Sequence, residues 1–427
     1  MIKIFDANVL SVQDICKRQN DNMESACNAA SQIIARVIEG GDKALLELTK
    51  KFDGVQINAL KVSEEQIMEA YNSADEFFIS TLQIAKTNIE TFHKAQLKTG
   101  FEILGNNGSI VGQKNLPIEK VGLYIPGGTA NYPSTVLMNA IPAKIAGVKE
   151  IVIVTPPSKD GKVNSDVLVA AKIAGVSAIF KIGGAQAVAA LAYGTETVPK
   201  VDKIVGPGNI YVAAAKKLVF GKVSIDMIAG PSEILIISDG KSDPRYLAAD
   251  MLSQAEHDKN ASAILITDSQ SLAMQVSNEL ENQLASLERE NIARASIDNN
   301  GKIIIVDNLD KAIEISNEIA PEHLELCVDN PFDMLQAITN AGSVFLGRNT
   351  PEAVGDYFAG TNHTLPTNGT AKFSSPLSVD DFIKKTQYVY YPENALIQDG
   401  ERIDYFAKRE GLTAHARSVT IRTGDKL

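Results

Sequence analysis

AKIAGV at residues 143–148 recurs unchanged at residues 171–176. In both copies a helix-length segment ends at a glycine, which readily takes the left-handed conformation that closes many helices. A strand-like apolar run follows each copy, at 150–155 and at 178–182. The repeat therefore indicates αβ construction, in which a helix carries the chain back to the start of a parallel strand.

Further strand-like runs lie on both sides of the repeat. They alternate with helix-length segments, which is typical of a parallel sheet covered by helices; the runs are 121–125, 150–155, 178–182, 202–205, 234–237, 263–267, 302–306, 324–328 and 343–346. Before them the pattern predicts a polar lead at 1–24 and helices at 24–39, 42–51 and 63–94. After them it predicts a glycine- and proline-rich loop at 347–376 and a tail of short helical pieces at 377–427.

Length and composition limit the class of protein. A chain of 427 residues is too long for one ordinary core, so we expect two or three domains. The formal net charge of −11 argues against non-specific binding to nucleic acid or anionic lipid. The three cysteines are too widely spaced for a disulfide framework, and no segment approaches the ~20 apolar residues of a membrane span. We expect a cytoplasmic protein that binds neither nucleic acid nor membrane.

Three glycine-bearing turns follow predicted strands, at 125–128, 182–186 and 205–209. A glycine turn that leads into a helix can approach a pyrophosphate closely. None of the turns is GxGxxG, and none has an acidic residue about 20 positions further on to bind a ribose. Both a dinucleotide site and simple tight turns fit this pattern, although open α/β sheets generally bind ligands at the carboxyl ends of their strands.

Two pairs of polar residues are candidates for chemistry. Gln254 and His257 stand three apart near the end of a predicted helix at 244–256, so they can project from one face. Glu322 and His323 lie between a predicted helix and a strand, and both groups can titrate near neutrality, as acid–base catalysis requires. From the dipeptide alone, a solvated pair at a loop is the more common explanation of Glu322 and His323.

Further imidazoles and a carboxylate occur in later loops, at Asp356, His363 and His415. Two histidines, one carboxylate and one more donor suit a tetrahedral zinc ion. Spacing alone does not say which residues are ligands, because neither HExxH nor paired cysteines are present.

Seven segments resemble the histidinol dehydrogenase family, in the family's order along the chain. They are GLYIPGG at 122–128, GGAQA at 183–187, GPGN at 206–209, AGPSE at 229–233, SQAEH at 253–257, APEHL at 320–324 and GDYFAGTNHTLPT at 355–367. The resemblance implies the NAD-dependent, four-electron oxidation of L-histidinol to L-histidine through L-histidinal, the last steps of histidine biosynthesis.

The resemblance also implies roles for particular residues. One zinc ion per subunit is expected on Gln254, His257, Asp356 and His415. His323 is expected to be the catalytic base, and Glu322 to activate water. NAD contacts are expected from Tyr124, Gln186 and Asn209. Substrate contacts are expected from the zinc ligands and the catalytic pair, together with Ser232, His363 and Glu410.

The fold implied by the resemblance is α/β, with two incomplete Rossmann-like domains, parallel-rich sheets and small appended terminal segments. The expected division is an arm at 1–24, a zinc-binding catalytic domain from 25–120 and 236–376, an NAD-binding domain at 121–235, and a tail at 377–427. In this family the tail is exchanged within a homodimer, so Glu410 and His415 are expected to complete the partner subunit's site.

Two other functions are compatible with the bare residue pattern. One is a zinc hydrolase in which Glu322 activates a metal-bound water and no nucleotide is needed. The other is a non-catalytic α/β module that binds a sugar or nucleotide, with structural histidines.

Overall fold

The computed structural model describes residues 2–9, 15, 23–127 and 131–424; Cys16 and Gly128 lie outside these ranges. The strands are, in chain order, β1 Lys3–Asp6, β2 Phe101–Leu104, β3 Ile110–Pro117, β4 Lys120–Tyr124, β5 Glu150–Thr155, β6 Ala178–Lys181, β7 Lys203–Val205, β8 Ser224–Ile225, β9 Glu233–Ser238, β10 Ser262–Thr267, β11 Lys302–Ile305, β12 His323–Cys327, β13 Ser343–Leu346 and β14 Ile383–Tyr390.

The α-helices of the described residues are α1 Met23–Phe52, α2 Glu64–Ser73, α3 Glu76–Lys94, α4 Pro133–Ala146, α5 Ser165–Ala174, α6 Gly184–Tyr193, α7 Ile210–Val219, α8 Pro244–Ala255, α9 Gln270–Leu284, α10 Glu290–Asn300, α11 Leu309–Ile319, α12 Pro331–Leu335, α13 Glu352–Tyr357, α14 Glu393–Arg409 and α15 Thr413–Thr423. None of these helices is both long and apolar enough to cross a bilayer.

The chain forms two compact units, Met1–Gln96 with Ile118–Phe382, and Leu97–Pro117 with Ile383–Leu427. The first unit contains two parallel sheets. The second contains an antiparallel sheet of order β14-β3-β2, and helices α14 and α15.

The five-stranded sheet of the first unit has the order β6-β5-β4-β7-β8, with every pair parallel. The chain order reverses between β4 and β7, which is the arrangement of a mononucleotide-binding half. Helices α1, α6 and α7 pack on one face and α2 to α5 on the other, and each face has its own buried apolar core. Burial on both faces explains why these strands are continuously apolar.

The six-stranded sheet has the order β1-β11-β10-β9-β12-β13 and is also parallel throughout. From β9 to β13 it repeats the order of the first sheet, with the reversal between β9 and β12. Helices α8 to α10 cover one face, and α11 contributes to the core on the other. The predicted pair of Rossmann-like, parallel-rich sheets is confirmed.

The repeated hexapeptide has the predicted conformation. Helix α4 ends at Gly147 with φ 93°, and α5 ends at Gly175 with φ 72°. The two glycine amides donate to the last turns of their helices, and β5 and β6 begin three residues further on. The predicted helix–glycine–strand succession is therefore confirmed in both copies.

Several predictions about secondary structure are wrong. The lead at 1–24 supplies an edge strand, because β1 pairs with β11. The predicted helix at 63–94 is two helices, because Ala74 is extended and the Asp75 carboxylate caps α3 by accepting from the Phe78 amide. Residues 268–294, whose sequence pattern predicts one long helix, likewise form two helices, α9 and α10.

The other errors concern loops and the tail. The predicted helical pieces of the tail are present as α14 and α15, but an eight-residue strand that was not predicted, β14, precedes them and runs along β3. Residues 97–117, for which no element was predicted, supply β2 and β3. The predicted loop at 347–376 contains α13. The division into an arm, two domains and a tail, at 1–24, 25–120 with 236–376, 121–235 and 377–427, remains a prediction.

Candidate active site

The backbone of Glu233, the first residue of β9, holds both members of the predicted acid–base pair. Its amide donates to Glu322 Oε2 at 2.9 Å, and its carbonyl oxygen lies 2.9 Å from His323 Nδ1. This contact arises because β9 and β12 are neighbours, with His323 in register with Ile234. Two adjacent parallel strands therefore fix the Glu322 and His323 side chains at their amino ends.

The hydrogen bond to a carbonyl fixes the tautomer of His323. Since a carbonyl oxygen can only accept, Nδ1 carries a proton, and Nε2 is the nitrogen that gains or loses the second proton. Within the described part of the chain, Nε2 is buried and has no hydrogen-bond partner. It lies 3.8 Å from Glu352 Oε1 and 3.8 Å from Asp356 Oδ1. The free nitrogen can accept a proton or bind a metal ion.

Helix α13 positions the two carboxylates that face His323. Glu352 and Asp356 are four residues apart, so they project from the same side of this short helix. The Glu352 amide, in the helix's first turn, donates to the buried Glu325 side chain at 2.9 Å. One donor atom each from His323, Glu352 and Asp356 lies within 4.8 Å of the others, a spacing that can hold a metal ion.

Gln254, in the last turn of α8, lies directly against Glu352. With its amide turned so that the nitrogen donates, that nitrogen lies 2.7 and 2.8 Å from the two Glu352 carboxylate oxygens. His257 follows just beyond the helix, and its amide donates to the Gln254 carbonyl at 3.2 Å. Burial lowers the pKa of His257, which favours the neutral imidazole that a metal requires.

A cavity of about 620 Å³ joins these groups. Its lining includes seven of the residues predicted to bind zinc or substrate or to catalyse the reaction, namely Ser232, Gln254, His257, Glu322, His323, Asp356 and His363. His363 is oriented from both ring nitrogens, with Nδ1 3.1 Å from the Asp356 carbonyl oxygen and Nε2 3.1 Å from Thr135 Oγ1. The fold thus brings residues more than 130 positions apart in sequence to one place.

Several titratable groups in this cavity have pKa values that differ from their usual ones. Burial raises the pKa of Glu322 to about 8 and that of Glu352 to about 7. Burial alone would lower the pKa of His323, but the Glu352, Glu322 and Asp356 carboxylates outweigh it and raise that pKa. Burial alone would raise the pKa of Asp356, but the neighbouring histidines outweigh it and hold that pKa below its usual value. Groups of this kind are concentrated at functional sites.

A larger cavity, about 1170 Å³, lies at the carboxyl ends of β4 and β5. It is lined by the three residues expected to contact NAD, Tyr124, Gln186 and Asn209, and it shares Tyr124, Pro126, Gly127 and Asn209 with the smaller cavity. The Tyr124 hydroxyl accepts from the Gly184 amide at 3.0 Å. The Asn209 side chain caps α7 by accepting from the Tyr211 and Val212 amides at 3.0 and 3.2 Å.

The two remaining predicted residues belong to the second unit. Glu410 directly follows α14, His415 lies in the first turn of α15, and both are exposed. Their assignment to a site stays a prediction.

Sequence reasoning missed Glu233, Glu325 and Glu352. Glu233 acts through its backbone, which no side-chain pattern reveals. Glu352 and Asp356 have the i, i+4 spacing of one helical face, and this signal was available, but the glycines and prolines around them favoured a loop.

A family model, curated relatives and a solved structure all match this chain under one family description. Residues 16–423 match the family description "Histidinol dehydrogenase". The histidinol dehydrogenase of Clostridium acetobutylicum is 53% identical over 410 residues, covering 96% of this chain and 95% of the relative. That of Lactococcus lactis is 52% identical over 407 residues, covering 95% of this chain and 94% of the relative. The crystal structure of histidinol dehydrogenase from Elizabethkingia anophelis superposes with a TM-score of 0.94 at 40% identity, covering 99% of this chain and 98% of that one. The chain belongs to the histidinol dehydrogenase family.

Proposed function

We propose that this chain oxidises L-histidinol to L-histidine through L-histidinal, with two NAD⁺ reduced in succession and one Zn²⁺ bound per subunit. Membership of the histidinol dehydrogenase family makes it an oxidoreductase. The observation that carries the proposal is the buried His323 Nε2, which faces carboxylates in a cavity continuous with a larger one at a sheet's carboxyl edge.

The donor set fits zinc. Asp356 offers a carboxylate oxygen, His257 an imidazole kept neutral by burial, and Gln254 an amide oxygen once its nitrogen is engaged by Glu352. We assign the fourth position to His415 of the partner subunit. One carboxylate and three neutral ligands leave the ion a net positive charge, which suits the neutral nitrogens of histidinol.

The dinucleotide cavity also fits its proposed ligand. The turns that follow β4 and β6 come close to Pro156, and a Cβ added at Gly127 or Gly183 would lie 2.9 or 2.6 Å from its side chain. We assign NAD contacts to Tyr124, Gln186 and Asn209 at this edge. When bound, zinc supplies positive charge that orients the substrate, and NAD⁺ supplies the hydride acceptor.

His323 is suited to proton transfer from the substrate alcohol. Its Nδ1 is held by the Glu233 carbonyl, so only Nε2 can take the proton released as the hydride leaves. The Glu352, Glu322 and Asp356 carboxylates raise the pKa of His323 in the ligand-free chain. A divalent cation held by Asp356 would lower that pKa and favour the neutral ring, which can act as a base.

Glu322 is suited to the second oxidation. Its buried carboxyl has a pKa of about 8, near the range in which it can both accept and return a proton. We assign it the removal of a proton from the water that adds to the aldehyde carbon. Ser232 and His363 line the same cavity, and we assign them substrate contacts, together with Glu410 of the partner subunit.

We propose a homodimer in which the tail at 377–427 completes the partner's site. Within the second unit, large apolar side chains are left exposed on the sheet and helices, with exposures of 73% at Leu104, 69% at Val389, 67% at Phe406 and 69% at Ile421. Exposed apolar surface of this kind marks protein interfaces. We place the enzyme in the cytoplasm, where its free Cys27 and Cys327 stay reduced.

The test is to incubate zinc-loaded protein with L-histidinol and NAD⁺ and to follow the ultraviolet band of NADH. We expect NADH with the zinc-loaded protein and little after the metal is removed by a chelator. If histidinol binds but no NADH forms, the dehydrogenase proposal fails. Consumption of a substrate by hydrolysis without nucleotide would instead identify a zinc hydrolase.

A further inference from the structure

The larger cavity contains a carboxylate to which neither the sequence motifs nor the proposed reaction gives a role. Asp53 lines this cavity. Its Oδ2 is buried and, within the described ranges, has no hydrogen-bond partner. A buried carboxylate oxygen without a partner costs stability, and Asp53 Oδ2 is therefore available to accept a hydrogen bond from a ligand in this cavity.

The backbone holds Asp53 firmly at the end of α1. Its amide donates to the Thr49 carbonyl at 2.9 Å, and Gly54 follows with φ 71°, the left-handed conformation that closes a helix. The chain then runs beside β6, where the Val62 amide donates to Ile179 and the Lys181 amide to Leu60, at 2.9 and 2.7 Å. Asp53 is therefore fixed near the carboxyl edge of the five-stranded sheet.

At this position Asp53 can serve as the acidic ribose ligand that is missing after the glycine turns. In a dinucleotide-binding half, an acidic residue following the second strand accepts hydrogen bonds from ribose hydroxyls. Here the second strand, β5, ends at Thr155-Pro156-Pro157, which offers no carboxylate. Asp53 lines the same cavity as these three residues, although it comes from a helix that precedes the sheet in sequence.

The linings of the two cavities indicate which half of a bound NAD would lie near Asp53. The smaller cavity contains His323, where hydride must leave the substrate, and so it receives the nicotinamide end. Asp53 lines only the larger cavity. Its charge is close enough to Tyr124 to help burial raise the pKa of that hydroxyl to about 12. The adenosine half of an extended dinucleotide therefore lies on the Asp53 side.

Three cations line the larger cavity, Arg36, Lys51 and Lys159, and the first two have partners. Arg36 pairs with Glu47 at 2.5 Å, and the Lys51 ammonium lies 5.0 Å from the centre of the Phe52 ring. Among the described residues, none of the three pairs with Asp53, so its carboxylate repels a phosphate placed beside it.

We infer that Asp53 accepts hydrogen bonds from the adenosine ribose hydroxyls of NAD and excludes the 2′-phosphate of NADP. This inference rests on the proposed function, and it adds the residue that selects between the two cofactors. A ribose hydroxyl can donate to the carboxylate, whereas a 2′-phosphate has no proton to donate at neutral pH and repels it.

The test is direct binding of NADH and NADPH, followed by the fluorescence of the reduced nicotinamide, to zinc-loaded wild type, Asp53→Asn and Asp53→Ser. Loss of hydrogen bonds to a charged group predicts NADH binding about 10- to 100-fold weaker in both variants. NADPH binding is unchanged or tighter. The dissociation constant of NADPH divided by that of NADH therefore falls by at least about tenfold. Reduced nicotinamide mononucleotide, which lacks the adenosine ribose, binds the variants as it binds wild type.

Asp202→Asn is the matched control. Like Asp53→Asn, it removes one carboxylate charge, but at the amino ends of β4 and β7. There the Lys120 amide donates to Asp202 Oδ2 at 3.2 Å. In the absence of ligand, the Asp53→Asn variant should unfold at a urea concentration no lower than that required for wild type, because a buried carboxylate oxygen without a partner is removed.

The outcomes separate the two proposals. If wild type prefers NADH and Asp53→Asn or Asp53→Ser keeps that preference, or if Asp202→Asn changes it equally, the role of Asp53 is refuted and the proposed function stands. Equal binding of NADH and NADPH by wild type also refutes it. If wild type binds neither nucleotide, the proposed function fails and this inference fails with it.

Discussion

Replacement of Lys216 by methionine should strongly destabilise the protein, because Lys216 and Asp226 form a buried ion pair with side chains only 2% and 1% exposed. Both charges also hold the turn that follows β7. The Lys216 ammonium donates to the Gly206 carbonyl at 3.0 Å, and the Gly206 amide donates to Asp226 at 2.8 Å. Since Gly206 has φ 119°, this turn needs the bracing that the ion pair gives it.

The magnitude follows from burial. Methionine fills the volume of the lysine stem but leaves the Asp226 carboxylate without a countercharge and the Gly206 carbonyl without its donor. Breaking a buried pair in this way costs about 3–5 kcal/mol, a large part of the roughly 5–15 kcal/mol that stabilises a typical domain. Lys120 and Glu150 are the matched control, since they pair at 2.9 Å with side chains 39% and 34% exposed. Lys120→Met should cost far less stability than Lys216→Met, because water screens an exposed pair.

Urea unfolding followed by circular dichroism measures both losses. The double variant Lys216→Met/Asp226→Asn should be less destabilised than the sum of the two single variants, because removing the second charge relieves the first. The reasoning is refuted if Lys216→Met loses no more stability than Lys120→Met, or if the single effects simply add.

Three further outcomes test the site. His323→Ala should lower turnover by about 10²–10⁴, the range for a lost general base, with bound zinc unchanged by atomic absorption; loss of zinc would make His323 a ligand. In the metal-free chain, Glu322→Gln should raise the free energy of unfolding near about pH 9, by a few kcal/mol at most, but not near about pH 4. The reason is that burial raises the folded pKa of Glu322 to about 8, so the wild type loses stability as pH rises toward that value; an equal effect at both pH values would contradict this. Mixing inactive His415→Ala and His257→Ala chains should restore activity, since a crossing tail leaves one intact site in each mixed dimer, whereas no recovery would count against exchange.

The sheets of the first unit could be predicted from sequence because their strands are buried on both faces. A continuous apolar run such as 150–155 between helix-length segments has few other interpretations, and β5 has those bounds. Strand β14 was missed because most of its residues are exposed, so no apolar run marks it. The order of strands, which sets β9 beside β12, depends on contacts distant in sequence and cannot be read from local pattern.

The site was predictable only in part for a similar reason. Side chains such as His257 and Glu322 can be proposed from their chemistry, and Gln254 only from the family resemblance. The Glu233 backbone and the Glu352 carboxylate acquire their roles only when the sheet and α13 bring them to Glu322, His323 and Gln254.

The number of NADH molecules formed per histidinol tests the central claim most directly. With limiting L-histidinol, excess NAD⁺ and zinc-loaded protein, one cavity that oxidises both the alcohol and the aldehyde predicts two NADH and one histidine for each histidinol consumed. One NADH per histidinol with accumulation of the aldehyde, or no NADH at all, would contradict it.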